Sequence, residues 1–167
     1  MTLSDNIRHG KNAVKYVKSL KILASNKLQD RLKAAGGVQN VINSGGRDDT
    51  ALMGVGQTRS AGVRARTTGN LRGTAEYTKK TKYGNCWEQA ITAFVYLHEK
   101  GVRPLDLVAF DNDAGGYDHV WVVIGLDQNW ERQNLRSWGV NAVWCDPWQG
   151  DGMVFAVDDL VKGKVRN

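Results

Sequence analysis

Residues 119 to 124, His-Val-Trp-Val-Val-Ile, set the tightest limit on the fold. A strand sends successive side chains to opposite faces, and here both faces are apolar after His119, so this strand belongs in the middle of a sheet covered on each side. The apolar run extends to 126, and further strand-like runs lie at about 105 to 110, 141 to 146 and 152 to 157. Ahead of them, residues 86 to 100 read as an amphipathic helix: Cys86, Ala90, Ala93 and Leu97 share a face, Ile91, Phe94 and Val95 widen it, and Gly101 is a stop. Asp158 to Lys162 reads as a short last helix, and Leu126 to Gly139 as a polar, tryptophan-bearing hairpin or loop. From Lys79 onward the chain is therefore expected to be α+β, one helix packed against a small sheet.

The front of the chain has a different pattern. Leu3, Ile7, Val14, Val17, Leu20, Ala24, Leu28, Leu32 and Ala35 recur at helical spacings among lysines and arginines, which predicts one long basic helix or two shorter ones. Ser4 or Asp5 is the expected cap, and Gly36-Gly37 the end. This stripe is expected to pack on the α+β core, with a docking face for a partner as the alternative. From Asn43 to Asn70 scattered glycines among Ser, Thr and Arg favour a loop. The division expected is 1–75, a basic helical and glycine-rich segment, and 76–167, the core; at 167 residues the two make one structural unit.

Charge divides the same way. Residues 1 to 85 hold 16 Lys and Arg against 5 Asp and Glu, a net of +11, and residues 86 to 167 hold 7 against 12, a net of −5. A basic half invites nucleic acid, but no nucleic-acid motif accompanies it, and packing of the two halves on each other accounts for the asymmetry; nucleic acid is not expected as the main ligand. No apolar run approaches the ~18 residues of a membrane span. Lys11, Lys15, Lys18 and Lys21 interrupt any h-region, so no signal peptide is expected.

The chemistry centres on Cys86, where Tyr83-Gly84-Asn85 runs into the helix. The unpaired amides of a helix start favour an anion, which makes Cys86 a candidate nucleophile. His119, first residue of its strand, can reach across the sheet edge to that helix start as imidazolium partner and general acid. Asp146, ending the neighbouring strand, can accept the other ring N–H and fix the tautomer; Asp118 is disfavoured for this, because adjacent strand residues face opposite ways. By the same alternation Cys145 is expected to be a small buried hydrophobe. His98 and His9 receive no role. A metal site is not expected, since no close pair such as C-x-x-C or H-x-x-x-H is present, and no cofactor is implied. Candidates for the oxyanion donor or substrate wall, beside the Cys86 amide itself, are Asn85, Tyr83, Lys82, Gln89, Trp87 and Trp148, with Trp121 and Trp144 crowding the same segments.

Gly84-Asn85-Cys86-x-Glu88-x-Ala90, Asp118-His119-x-Trp121-Val122-Val123-Ile124 and Cys145-Asp146-Pro147-Trp148, in that order, resemble the papain-fold cysteine hydrolases found as toxin domains and secreted effectors of bacteria. The likeness covers roughly residues 80 to 150. It implies a papain-like arrangement, a thioester intermediate on Cys86, a protein substrate in a target cell, and a cognate immunity protein. It also implies residence in the producer's cytoplasm before export, then delivery to the target-cell cytoplasm, and a monomer. Cysteine followed by tryptophan is the papain pattern, which favours a peptidase over a glutamine deamidase or transglutaminase. No glutamine stands a few residues before Cys86, as it does in papain peptidases. A non-catalytic basic binding domain is the reading from a different class.

Overall fold

In the computed structural model, which describes residues 1–36, 53, 55, 70–110 and 119–165, all six residues from His119 to Ile124 are buried. The element order is α1 (Leu3–Ser19), α2 (Leu28–Ala34), α3 (Leu71–Thr81), α4 (Cys86–Glu99), β1 (Leu105–Phe110), β2 (His119–Ile124), a 3-10 turn (Leu135–Trp138), β3 (Val143–Asp146), β4 (Met153–Ala156) and α5 (Val157–Val161). The strands form one antiparallel sheet in the order β1-β2-β3-β4, which puts β2 and β3 inside. Most of the glycine-rich stretch 43 to 70, and Asp118, lie outside the described residues.

The register sorts the side chains onto two faces. Leu107, Val122, Cys145 and Val154 oppose one another in turn across the four strands and share the first face. Ala13, Val14 and Val17 of α1 and Ala93 and Leu97 of α4 pack against it, so the basic N-terminal helix is part of the main core. Val108, Trp121, Val123 and Trp144 occupy the second face, where Leu126, Trp138, Ala142 and Val157 cover them. The polar stretch after β2 thus supplies the roof of that face. The helix expected over 86 to 100 forms as α4, its predicted stripe buried except for the partly buried Phe94, and Gly101 in the left-handed region at φ +74 just beyond its end.

Two features depart from the sequence reading. The cap of α1 is Thr2, in place of Ser4 or Asp5: its hydroxyl accepts from the Asp5 amide at 3.2 Å while the Asp5 carboxylate faces back to Thr2, a capping box. The stripe over 3 to 35 forms the two shorter helices that the sequence reading allowed, α1 and α2, with Lys21 at φ 55 between them. The helix α3 had no counterpart in the sequence reading. Its buried face is Thr74, Ala75 and Thr78, small residues that let it lie close on α4, and the Thr78 hydroxyl donates to the Thr74 carbonyl at 2.9 Å. A stripe of threonine and alanine carries little apolar signal, so periodicity alone misses it.

The contact between α1 and the entry to β4 is close enough to test. A Cβ on Gly152, at φ +100, would stand 2.2 Å from Val14 Cγ1, whereas one on Gly101 would meet nothing within 4 Å. Gly152→Ala is expected to lower stability by roughly 1–3 kcal/mol more than Gly101→Ala, read as a larger drop in urea midpoint at unchanged slope. Equal drops would mean that backbone strain alone, and not the helix contact, is felt at Gly152.

Candidate active site

Cys86 is the first residue of α4, and Asn85 precedes it in an extended conformation. Side chains from both directions pin this helix start. Glu88, buried one turn in, accepts from the Asn85 amide at 2.9 Å, and Gln89 donates to the Gly84 carbonyl at 3.0 Å. Gly84 must be small, because a Cβ there would lie 2.5 Å from the Cβ of Glu88. The connection between α1 and α2 then runs alongside: Leu23 donates to the Lys82 carbonyl and accepts from the Gly84 amide, at 2.9 and 3.0 Å. Ser25 donates to Asn85 Oδ1 from its amide at 2.9 Å and from its hydroxyl at 3.2 Å.

The imidazole is held from the sheet. His119 Nε2 lies 2.5 Å from Asp146 Oδ2, both residues buried, across the open end of β2 and β3. The other carboxylate oxygen of Asp146 accepts the amides of Trp148 and Gln149 at 2.9 and 3.1 Å. This is an Asx turn, with Pro147 presetting the bend. The carboxylate is therefore fully engaged and aimed before the ring meets it. The Cys86 thiol stands close enough to the same imidazole to help raise its pKa. With Nε2 given to Asp146, Nδ1 is the ring atom left for the sulfur.

Burial alone would pull the His119 pKa down, but the hydrogen bonds and charges of Asp146 and Cys86 outweigh it, and the pKa is pushed up to about 9. At neutral pH the ring is an imidazolium. Trp121 stacks on it at 5.7 Å and Trp148 leans on it at 5.2 Å, so two indoles shield the ion pair from water. Cys86 is 8% exposed, and the Leu23–Ser25 segment lies against the loop that precedes it.

The remaining candidates go to different places. Asn85 is bonded to Ser25, Gln89 to Gly84, and Tyr83 sits in the bridge to Leu23. Trp87 packs toward α3 with Ala75 and Ile91, and Trp144 stacks on Trp121 at 3.9 Å. The Cys86 amide, first of the helix N–H groups without an intrahelical acceptor, is the donor nearest the sulfur. Lys82 is exposed in the left-handed C-cap of α3. Cys145 faces the opposite side of the sheet, fully buried against the Gly10 carbonyl, and burial pushes its pKa up to about 12. His98 is exposed on the last turn of α4 and His9 is half-buried on α1. Ser25 and Lys27 were not anticipated: they reach the site from about 60 residues upstream, and nothing in their neighbours' sequence marks them.

A buried cysteine beside a histidine that pairs with a buried aspartate is a Cys-His-Asp triad geometry, consistent with a cysteine hydrolase in general. The architecture is α+β, with helices packed on a four-stranded antiparallel sheet. Among the described residues no helix is long and apolar enough to cross a membrane. No protein-family model, curated protein or solved structure matches the chain.

Because the folded-state pKa of His119 is raised from about 6.5 to about 9, its pairing contributes stability that is complete below about pH 6.5 and is lost as pH rises through about 9. The stability difference between wild type and His119→Gln is expected to shrink over that window. NMR titration of the His119 ring should give a midpoint near 9, and Asp146→Ala should move it down. A wild-type midpoint at or below 6.5 would contradict the pairing.

Proposed function

We propose that the protein is a papain-like cysteine peptidase of the bacterial toxin or effector type, with Cys86 as nucleophile, His119 as acid and base, and Asp146 as orienter. The observation that carries the catalytic part is the buried His119–Asp146 pair set against a sulfur at a helix start. In the proposed reaction the thiolate attacks the amide carbon, the S–C bond forms, and the carbonyl electrons move onto oxygen, which the Cys86 amide stabilises. As the tetrahedral species collapses, the imidazolium gives its proton to the departing nitrogen and the C–N bond breaks. Water then attacks the thioester while His119 takes its proton, and the thiolate leaves. A raised histidine pKa suits the first half of this cycle, where the ring must arrive protonated.

Cysteine followed by tryptophan at 86 and 87 supports peptide-bond cleavage. A glutamine deamidase, or a transglutaminase, would use the same residues and differ only in which nitrogen leaves and what attacks the thioester. The toxin or effector assignment rests on the three sequence blocks described above, and with it go a protein substrate, an immunity protein that blocks the site in the producer, action as a monomer, and delivery into a target-cell cytoplasm.

Cys86→Ala and His119→Ala are expected to abolish toxicity in cells expressing the protein, and Asp146→Ala to leave a residue of activity roughly 10²–10⁴-fold below wild type. Full toxicity in the Cys86→Ala protein would eliminate the enzyme reading and favour a non-catalytic basic binding domain. Intact-protein mass spectrometry of cells expressing wild type against Cys86→Ala separates the chemistries. A peptidase yields two target fragments, whereas a deamidase adds about one mass unit per converted amide, the difference between an NH2 and an OH.

A further inference from the structure

Lys27 occupies a place in the cleft that the triad does not explain. It follows the Leu23–Ser25 strand of chain stitched to residues 82 to 85, and it reaches from that side to the far wall. There its ammonium donates to the Trp148 carbonyl and covers the Trp148 ring at 4.7 Å from the centroid. Trp148 in turn donates its amide to Asp146 and leans on His119. The cation therefore stands one side chain away from the imidazole, partly open to solvent.

Lys27 is half-buried, and among the described residues no carboxylate lies within ion-pair range of it. Asp30, the acidic residue nearest in sequence, is taken by Lys33 at 3.8 Å and by the Ala24 amide at 3.0 Å. Burial, followed by the like charge of Lys18, lowers the Lys27 pKa, while Asp30, Asp146 and Asp151 act in the opposite sense from a distance. Taking an ammonium partly out of water without a paired anion costs stability. One carbonyl and one π face satisfy only part of an ammonium with three donors.

We infer that Lys27 is the anion-receiving residue of this cleft and selects substrates that carry a carboxylate, an Asp or Glu side chain, beside the amide attacked by Cys86. The inference rests on the cysteine-hydrolase reading of the site. Its logic is unmet capacity: the Trp148 carbonyl and ring engage only part of the ammonium, and no carboxylate among the described residues pairs with the rest.

Alkylation of Cys86 tests this without knowing the substrate. Iodoacetate and iodoacetamide are nearly equal in size and differ in charge. With each, the thiolate displaces iodide, so that an S–C bond forms and the C–I bond breaks. The label is mapped to Cys86 by mass spectrometry of the whole chain. The rate ratio of iodoacetate to iodoacetamide is expected to fall about five-fold in Lys27→Met, as for loss of one charge at close range, and to return in Lys27→Arg. Added salt should narrow the gap between wild type and Lys27→Met. An unchanged ratio in Lys27→Met overturns the inference. So does an equal loss of rate with both reagents, which would make Lys27 a brace for the cleft walls. A separate comparison tests the underlying reading: if His119→Ala leaves the iodoacetamide rate at the wild-type value, the thiol is not activated by that histidine and the hydrolase assignment fails first.

Discussion

A carboxylate almost wholly withdrawn from water organises this molecule. Asp146 would be costly to bury as a lone anion, and the chain meets that cost with three hydrogen bonds from two directions: the Trp148 and Gln149 amides on one oxygen and the His119 ring on the other. Each demands something of the fold. The amides require the chain to turn immediately after β3, which Pro147 favours. The ring requires β2 to begin beside the end of β3, and the antiparallel register Val122↔Cys145 delivers it there. The same turn swings Trp148 over the pair and so keeps water from competing for it.

The sheet's alternation separates two tasks that would interfere. Its first face is aliphatic and holds α1 and α4 in place, with Cys145 serving as one more small apolar side chain. Its second face is aromatic: Phe155, Trp144, Trp121 and His119 stack in sequence across three strands. Of the two thiols, one is pressed into the aliphatic layer and one stands at a helix start in contact with an imidazole. Adjacency of Cys145 to Asp146 in sequence thus brings no chemistry, because neighbouring strand residues leave by opposite faces.

The N-terminal part is not an appendage to this arrangement. Val14 and Val17 are core residues, and the connection after α1 ties Ser25 and Lys27 to the two sides of the cleft. Position of Cys86 thus depends on contacts from both halves of the chain, and part of the basic charge near the front is a single ammonium laid on Trp148.

Local chemistry in the chain announces the helix that begins at Cys86, the central strand that begins at His119, the strand that ends at Asp146, and the opposite facing of Cys145, since each follows from spacing and from the alternation of side chains over a few residues. Helix α3 escapes that reading because threonine and alanine give it almost no apolar stripe, and the roof over the second face escapes it because its buried tryptophan sits in a polar stretch. Which side chains stand around the sulfur is a different matter. Ser25 and Lys27 arrive through backbone bridges between Leu23 and Tyr83, contacts of long sequence separation that no local pattern encodes. The tertiary structure alone decides that Asn85 is committed to Ser25, that Trp87 packs with Ala75 and Ile91, and that the histidine is held as an imidazolium, because hydrogen-bond partners and burial exist only once the distant segments have met.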